Sequence, residues 1–91
     1  MSIFVGKHTL NANTATMIVP IQGMPQRCYV HNHDHQGQDD VYIGGSALGT
    51  ALNGIHIPDT GTIEFVLQPG DALFAIASAG TPEVQVIVSR M

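Results

Sequence analysis

The sequence predicts an all-β domain, a compact β-sandwich or small jelly-roll-like barrel of six to eight short antiparallel strands. Val and Ile together number 17 against five Leu, and β-branched side chains are enriched in strands. The chain also carries 10 Gly and five Pro, which are typical of turns. Alternation of apolar and polar residues recurs, whereas no segment shows the apolar repeat of a capped amphipathic helix. At 91 residues and 9.7 kDa, we expect a single domain over residues 1–91.

Several segments carry the strand pattern. In order along the chain they are 2–5, 14–20, 26–33, 40–44, 62–67, 72–77 and 83–89. Alternation is regular in the last of them, where Val84, Val86 and Val88 share one face. The stretch 45–57 has no such pattern and is predicted to be irregular. We expect the core to be built from the apolar members of these alternating strands: Val30, Val41, Ile43, Ile63, Phe65, Leu67, Val84, Val86 and Val88.

Turn residues separate the later strands. Gln68-Pro69-Gly70-Asp71 has Pro at the second position and Gly at the third, as a type II turn requires. The tetrapeptide 79–82 separates the last two strands. We therefore expect the final three strands to form an antiparallel meander, while the earlier strands supply a second sheet or close the first into a barrel.

The N-terminal segment, residues 1–12, has two interpretations. Ile3, Phe4 and Val5 are followed by Lys7 and by the turn-like sequence 11–13. The segment is either an arm or edge strand that contacts a neighbouring molecule, or an internal strand of the same sandwich.

Residues 28–43 contain three histidines at alternate positions, His31, His33 and His35. A two-residue turn at Gln36-Gly37 would pair Val30 with Ile43 and leave one apolar and one polar face. This register predicts a His-rich hairpin.

The same histidines are the candidate metal ligands. Successive histidines on one strand lie about 6.5–7 Å apart, so one strand surrounds a metal poorly. Three symmetry-related strands that each contribute two imidazoles would suit octahedral Fe(II) or Ni(II). The alternative is a solvated polar face that needs no cofactor. His31-x-His33 and Pro69-Gly70-Asp71 are similar to parts of the cupin metal motif, but the Glu that follows the His pair in that motif and the His that follows its Pro-Gly turn are absent.

Charge and composition narrow the function classes. The net charge is −4 with only three Lys and Arg residues, which argues against nucleic acid and anionic membranes as partners. Cys28, the one cysteine, is predicted to be a buried strand thiol. No Gly-x-Ser-x-Gly elbow, phosphate loop or carboxylate pair is present, so no enzyme activity is expected. The N-terminus lacks the pattern of a signal peptide, so we expect the chain to be made in a cytosol.

Three segments in a fixed order carry a resemblance to a known class. They are the Val-Tyr-Ile-Gly-Gly strand within 40–46, the segment 53–58 that begins with Asn-Gly and ends with Pro58, and the Pro-Gly-Asp turn within 62–77. Together with the closing strand, the chain over about 26–90 resembles small structural proteins of tailed bacteriophages.

The resemblance implies a capsid decoration or cement protein. Such a protein binds the major capsid protein at the virion surface and stabilises the shell. The small size and few charges also predict self-association, as a homotrimer. The alternatives are a tail, fibre or connector component of the same virion, and a small jelly-roll module that binds a ligand or metal.

Overall fold

The predicted fold class is confirmed by a computed structural model, which describes residues 2–33, 40–45, 54–58 and 60–90, apart from the side chains of residues 2 and 65. The described chain contains eight strands: β1 Ser2–Thr9, β2 Thr16–Val19, β3 Gln26–Asn32, β4 Val41–Gly44, β5 Ile55–Ile57, β6 Thr62–Leu67, β7 Leu73–Ala77 and β8 Glu83–Arg90. Strand β5 lies in the stretch 45–57, for which no strand was predicted. Its three residues are too few to show an alternation of apolar and polar side chains. No helix in these ranges is long and apolar enough to span a bilayer.

The strands form two four-stranded sheets in which every strand pair is antiparallel. Their orders are β1-β8-β3-β6 and β2-β7-β4-β5. Most consecutive strands lie in different sheets, so the chain crosses the core repeatedly. This is the connectivity of a sandwich in which each sheet covers the inner face of the other.

The predicted meander of the last three strands is wrong, although its first turn is correct. Gly70 has φ 90° and the Asp71 amide donates to the Gln68 carbonyl at 3.0 Å, as a type II turn requires. The turn nevertheless carries the chain from β6 to β7 in the opposite sheet. A turn between two strands that each bury an apolar face can join strands of one sheet or of opposing sheets, because the two sheets of a sandwich bury their apolar faces against each other.

The predicted His-rich hairpin is also wrong. β3 pairs with β6 and β8, and β4 pairs with β5 and β7, so Val30 lies opposite Ile63 and Val86 instead of Ile43. The alternation was read correctly, because Val30 and Ile43 are both buried, but they belong to opposing sheets. The alternation of apolar and polar residues specifies which face of a strand is buried, but it does not specify which strand is its partner. The predicted turn at Gln36-Gly37 lies outside the described residues.

The core contains most of the side chains expected from the sequence. Of the predicted set, Ile63 is partly buried and packs against the core, and the side chain of Phe65 is outside the description. The remaining predicted members are all buried: Val30, Val41, Ile43, Leu67, Val84, Val86 and Val88. The core also includes residues that were not predicted: Leu10, Ile18, Val19, Ile57, Leu73, Ala75 and Ala77.

Two buried amides connect the central strand β3 to other segments. Gln26 donates from Nε2 to the Pro20 carbonyl at 3.0 Å and accepts a bond from Arg90 Nε at 3.0 Å. Asn32, at the other end of β3, donates from Nδ2 to the Ile57 carbonyl of β5 at 3.1 Å. A buried amide without partners would cost about 1–3 kcal/mol. These bonds therefore favour one alignment of β3 with the opposing segments.

Strand β1 is an edge strand of the sandwich. It pairs with β8 in continuous register from Ser2↔Arg90 to Thr9↔Glu83. Its other edge borders no strand in the described part of the chain. The N-terminal segment thus lies along the domain, and its apolar residues Ile3, Phe4 and Val5 are exposed.

A pair of neighbouring isoleucines tests the assignment of the core. Ile43 and Ile55 lie opposite each other in β4 and β5, but Ile43 is 1 % exposed and Ile55 is 64 % exposed. Ile43→Ala should lower the free energy of unfolding by about 2–5 kcal/mol, and Ile55→Ala by less than about 0.5 kcal/mol. Urea unfolding of both variants measures this difference. Equal losses would contradict the assigned burial of Ile43.

Candidate functional site

The surface of the sheet β1-β8-β3-β6 that faces away from the core is the candidate site, and we call it the outer face. The paired registers arrange its side chains in three rows across the four strands. The first row is Ile3, Ser89, Arg27 and Val66. The second is Val5, Ile87, Tyr29 and Glu64. The third is Lys7, Gln85, His31 and Thr62.

Apolar side chains occupy most of the first two rows. Val5, Ile87 and Tyr29 are direct cross-strand neighbours and are 73 %, 46 % and 38 % exposed. Ile3 and Val66 are also exposed, in the adjoining row. Single exposed apolar residues are common on protein surfaces, but a contiguous group of this kind makes the outer face a candidate interaction surface.

A shallow depression crosses the outer face at its second and third rows. It encloses about 370 Å³. Its lining combines the apolar atoms of Val5, Tyr29 and Ile87 with the polar groups of His31 and Gln85. Such a surface offers nonpolar area with a few hydrogen-bonding groups beside it, which is the composition of protein–protein contacts.

The charges of the chain are distributed unequally between the sheets. Lys7, Arg27 and Arg90 are the only Lys and Arg residues in the sequence, and all three lie in the sheet that carries the outer face. Only two of the seven acidic residues, Glu64 and Glu83, lie in its strands. The sheet is therefore cationic within a chain whose net charge is −4.

One ion pair lies on the outer face. Arg27 Nε is 3.7 Å from Glu64 Oε2, and both side chains are half exposed. An exposed pair of this kind contributes about 0–1 kcal/mol. The guanidinium can consequently exchange this carboxylate for one on a partner at little cost.

A second, larger cavity lies between the sheets at one end of the sandwich. It encloses about 650 Å³, and its lining includes Ile43, Ile55, Ile63 and Leu73. Gly45 also lines it and immediately precedes residues 46–53, which the structure does not describe. The walls of this cavity are thus only partly described, and no site is assigned to it.

The structure brings two of the three candidate metal ligands together. The rings of His31 and His33 are 5.8 Å apart between centroids, and His31 Nδ1 is 3.0 Å from Thr62 Oγ1. His35 lies outside the described residues. The part of the chain that is described holds no group of three His, Cys, Asp or Glu residues that could bind a metal ion. The site at His31, His33 and His35 stays a prediction.

The other sheet has a histidine contact of its own. His56 Nε2 is 3.3 Å from Asp40 Oδ1, and the ring of His56 lies 5.1 Å from that of Tyr42. Asp40 directly precedes β4, the strand that pairs with β5, so this contact joins neighbouring segments of one sheet.

Cys28 is buried among the core residues, as the sequence predicted. Burial raises the pKa of its thiol, and the positive charge of Arg90 opposes this only in part. The thiolate is the reactive form of cysteine. A raised pKa and a buried position both make this thiol inert.

The outer face was not predicted as a site, although the sequence contains a signal for it. On strand β8, the face opposite Val84, Val86 and Val88 carries Glu83, Gln85, Ile87 and Ser89. Ile87 interrupts an otherwise polar face. Tyr29 and Val66 interrupt the corresponding faces of β3 and β6. Apolar residues at solvent positions of several strands indicate a shared contact surface once the strands are known to be neighbours.

Comparison with known proteins adds information on the fold alone. No protein-family model matches the chain, and no curated protein matches it. A similar solved structure is the one titled "Bacillus endospore appendages form a novel family of disulfide-linked pili". The similarity has a TM-score of 0.60 at 18 % identity and covers 99 % of this chain and 86 % of that chain. At this identity the likeness is one of β-sandwich architecture.

The buried thiol gives a direct prediction. Native protein should react with a thiol reagent such as Ellman's reagent only through unfolding, because Cys28 is 0 % exposed. In denaturant the reaction should be rapid and complete. A matched control is Val66→Cys, which places a second thiol on an exposed outer-face position and should react at once. Immediate native labelling of the parent protein would contradict the assigned position of β3.

Proposed function

We propose that this chain is a structural subunit of a larger protein assembly and that it binds the assembly through the outer face. The observation that carries the proposal is the contiguous apolar row Val5–Ile87–Tyr29, with Ile3 and Val66 beside it. A partner that covers these side chains removes apolar surface from water, and each Å² removed stabilises the complex by about 25 cal/mol. The cations Lys7 and Arg27 at the margin favour a partner with acidic groups.

In its specific form, we propose a capsid decoration protein that binds the major capsid protein on the virion surface of a tailed bacteriophage. The support is the ordered resemblance of residues 26–90 together with an apolar surface on a small β-domain. In such a role, binding to the shell would add to the stability of the domain, because a partner that binds only the folded state favours folding.

A fibre or appendage subunit is the second candidate. The observation that favours it is the sandwich of the similar structure, whose title describes pili. Those pili are described as disulfide-linked, whereas this chain has one cysteine and that cysteine is buried. A filament of this chain would accordingly be held by noncovalent contacts. The ratio to the shell protein separates the candidates: a decoration protein is present in a fixed ratio to the shell protein, and a fibre or appendage subunit is not.

Matched substitutions on the two sheets test the proposal. Ile87→Glu places a charge in the centre of the outer face, and burying it against a partner is costly. Met17→Glu is the control, since Met17 is on the other sheet and is 46 % exposed, as Ile87 is. The readout is the number of copies per particle, measured by quantitative mass spectrometry of particles purified from the organism that encodes the chain.

The expected result is at least about a tenfold loss of incorporation for Ile87→Glu, with a melting temperature close to that of the parent. The control variant should be incorporated as the parent is. Normal incorporation of Ile87→Glu, or loss only with Met17→Glu, would refute the outer face as the binding surface.

A further inference from the structure

We propose that strand β1 pairs edge to edge with β1 of a second copy of this chain, in antiparallel orientation about a twofold axis near Val5. This goes beyond the proposed function, because it assigns the backbone edge of the sheet and not the outer face. Either contact can be present without the other.

The first support is the lack of protection on this edge. Strand β1 is eight residues long and pairs with β8 without a bulge. It contains no proline, and Lys7 is its only Lys, Arg, Asp or Glu residue. Natural edge strands are usually short, bulged, or protected by proline and several charges, because an exposed edge pairs with other chains.

Apolar exposure on both sides of the strand is the second support. Ile3 and Val5 lie on the outer face and are 67 % and 73 % exposed, whereas Phe4 points to the opposite side and is 46 % exposed. A single copy leaves Ile3 and Val5 in water and covers Phe4 only in part, where the Arg90 guanidinium lies 4.0 Å from the ring centroid. A strand added to this edge would cover parts of both sides at once.

The hydrogen-bond ladder determines which backbone groups are available. The Leu10 amide donates to the Pro82 carbonyl at 2.9 Å, in the register that continues β1·β8. Because antiparallel bonds alternate along a strand, the even residues of β1 bond to β8. The amides and carbonyls of Ile3, Val5 and Lys7 therefore point to the free edge, and they are the groups that a new strand would bond.

An identical strand fits these groups. Antiparallel pairing about Val5 places Ile3 opposite Lys7 of the second copy, so each odd residue meets an odd residue. It also places Phe4 opposite Gly6 of the second copy. A Cβ built at Gly6 would be in ordinary contact with the His8 ring, 3.4 Å from Nε2, so the Phe4 ring of the second copy would pack over Gly6 against this imidazole. An aromatic side chain across from an edge glycine is a stabilising pair.

Charge opposes contact between copies at this edge only weakly. All seven acidic residues of the sequence lie at position 34 or later, so β1 carries none of the negative charge that makes copies repel. The two Lys7 side chains would be four positions apart, about 13 Å at 3.3 Å per residue. That distance exceeds the screening length of about 8 Å at physiological salt. Their mutual repulsion is consequently weak.

Amide hydrogen exchange of the unmodified protein tests the pairing without any substitution. At millimolar concentration the amides of Val5 and Lys7 should exchange at least about tenfold more slowly than at micromolar concentration. The amides of Phe4, Gly6 and His8 bond to β8 in a single copy and should show little dependence on concentration. Sedimentation over the same range should show conversion of monomer to dimer.

A matched pair of variants separates backbone pairing from side-chain contact. Val5→Pro removes the amide that points to the free edge and leaves the bonds to β8, a position where proline is tolerated. It should sediment as a folded monomer. Val5→Ala keeps the amide and should still form the dimer, with weaker affinity.

Three outcomes would overturn the proposal. The first is exchange at Val5 and Lys7 that does not depend on concentration. The second is concentration-dependent protection at Thr62, Glu64 and Val66 as well, because these are the free-edge amides of β6 and would indicate pairing of β1 with β6 of another copy. The third is a trimer, the state expected from the sequence, that survives Val5→Pro. The Ile87→Glu variant tests separately whether the chain binds the particle through the outer face.

Discussion

The burial of two inner sheet faces against each other is the constraint on which the rest of this structure depends. β3 is central to it, since its alternating residues Cys28 and Val30 enter the core while its backbone bonds to both β6 and β8. The buried amides at its ends, Gln26 and Asn32, bond to segments outside their own sheet. Hydrophobic burial holds the sheets together, and these directional bonds favour one alignment.

The same arrangement explains why so much apolar surface is exposed. A sandwich of two sheets has two inner faces and two outer faces, and the described chain contains no helix to cover an outer one. Val5, Tyr29 and Ile87 therefore stay in water unless another molecule covers them. In a domain of this size, stability is only about 0.05–0.15 kcal/mol per residue. Binding to an assembly would therefore add substantially to the free energy of unfolding of the domain.

The sequence was sufficient for the local structure and insufficient for the pairing of strands. Val84, Val86 and Val88 alternate clearly enough to predict their burial, and Pro69-Gly70 predicts its turn. The partner of β3 was assigned wrongly because alternation is the same whether a strand pairs with its neighbour in sequence or crosses to the other sheet. The outer face was missed for a related reason: Ile87 and Tyr29 are 58 positions apart, and only the observed register makes them neighbours.

Hydroxyl-radical footprinting of the assembled particle tests the central claim most directly, namely that the sheet β1-β8-β3-β6 faces its partner. Tyr29 on the outer face and Met17 on β2 of the other sheet are both oxidisable, and they are 38 % and 46 % exposed in the free protein. Assembly should slow the oxidation of Tyr29 several-fold and leave that of Met17 unchanged. Protection of Met17 with undiminished oxidation of Tyr29 would contradict the account.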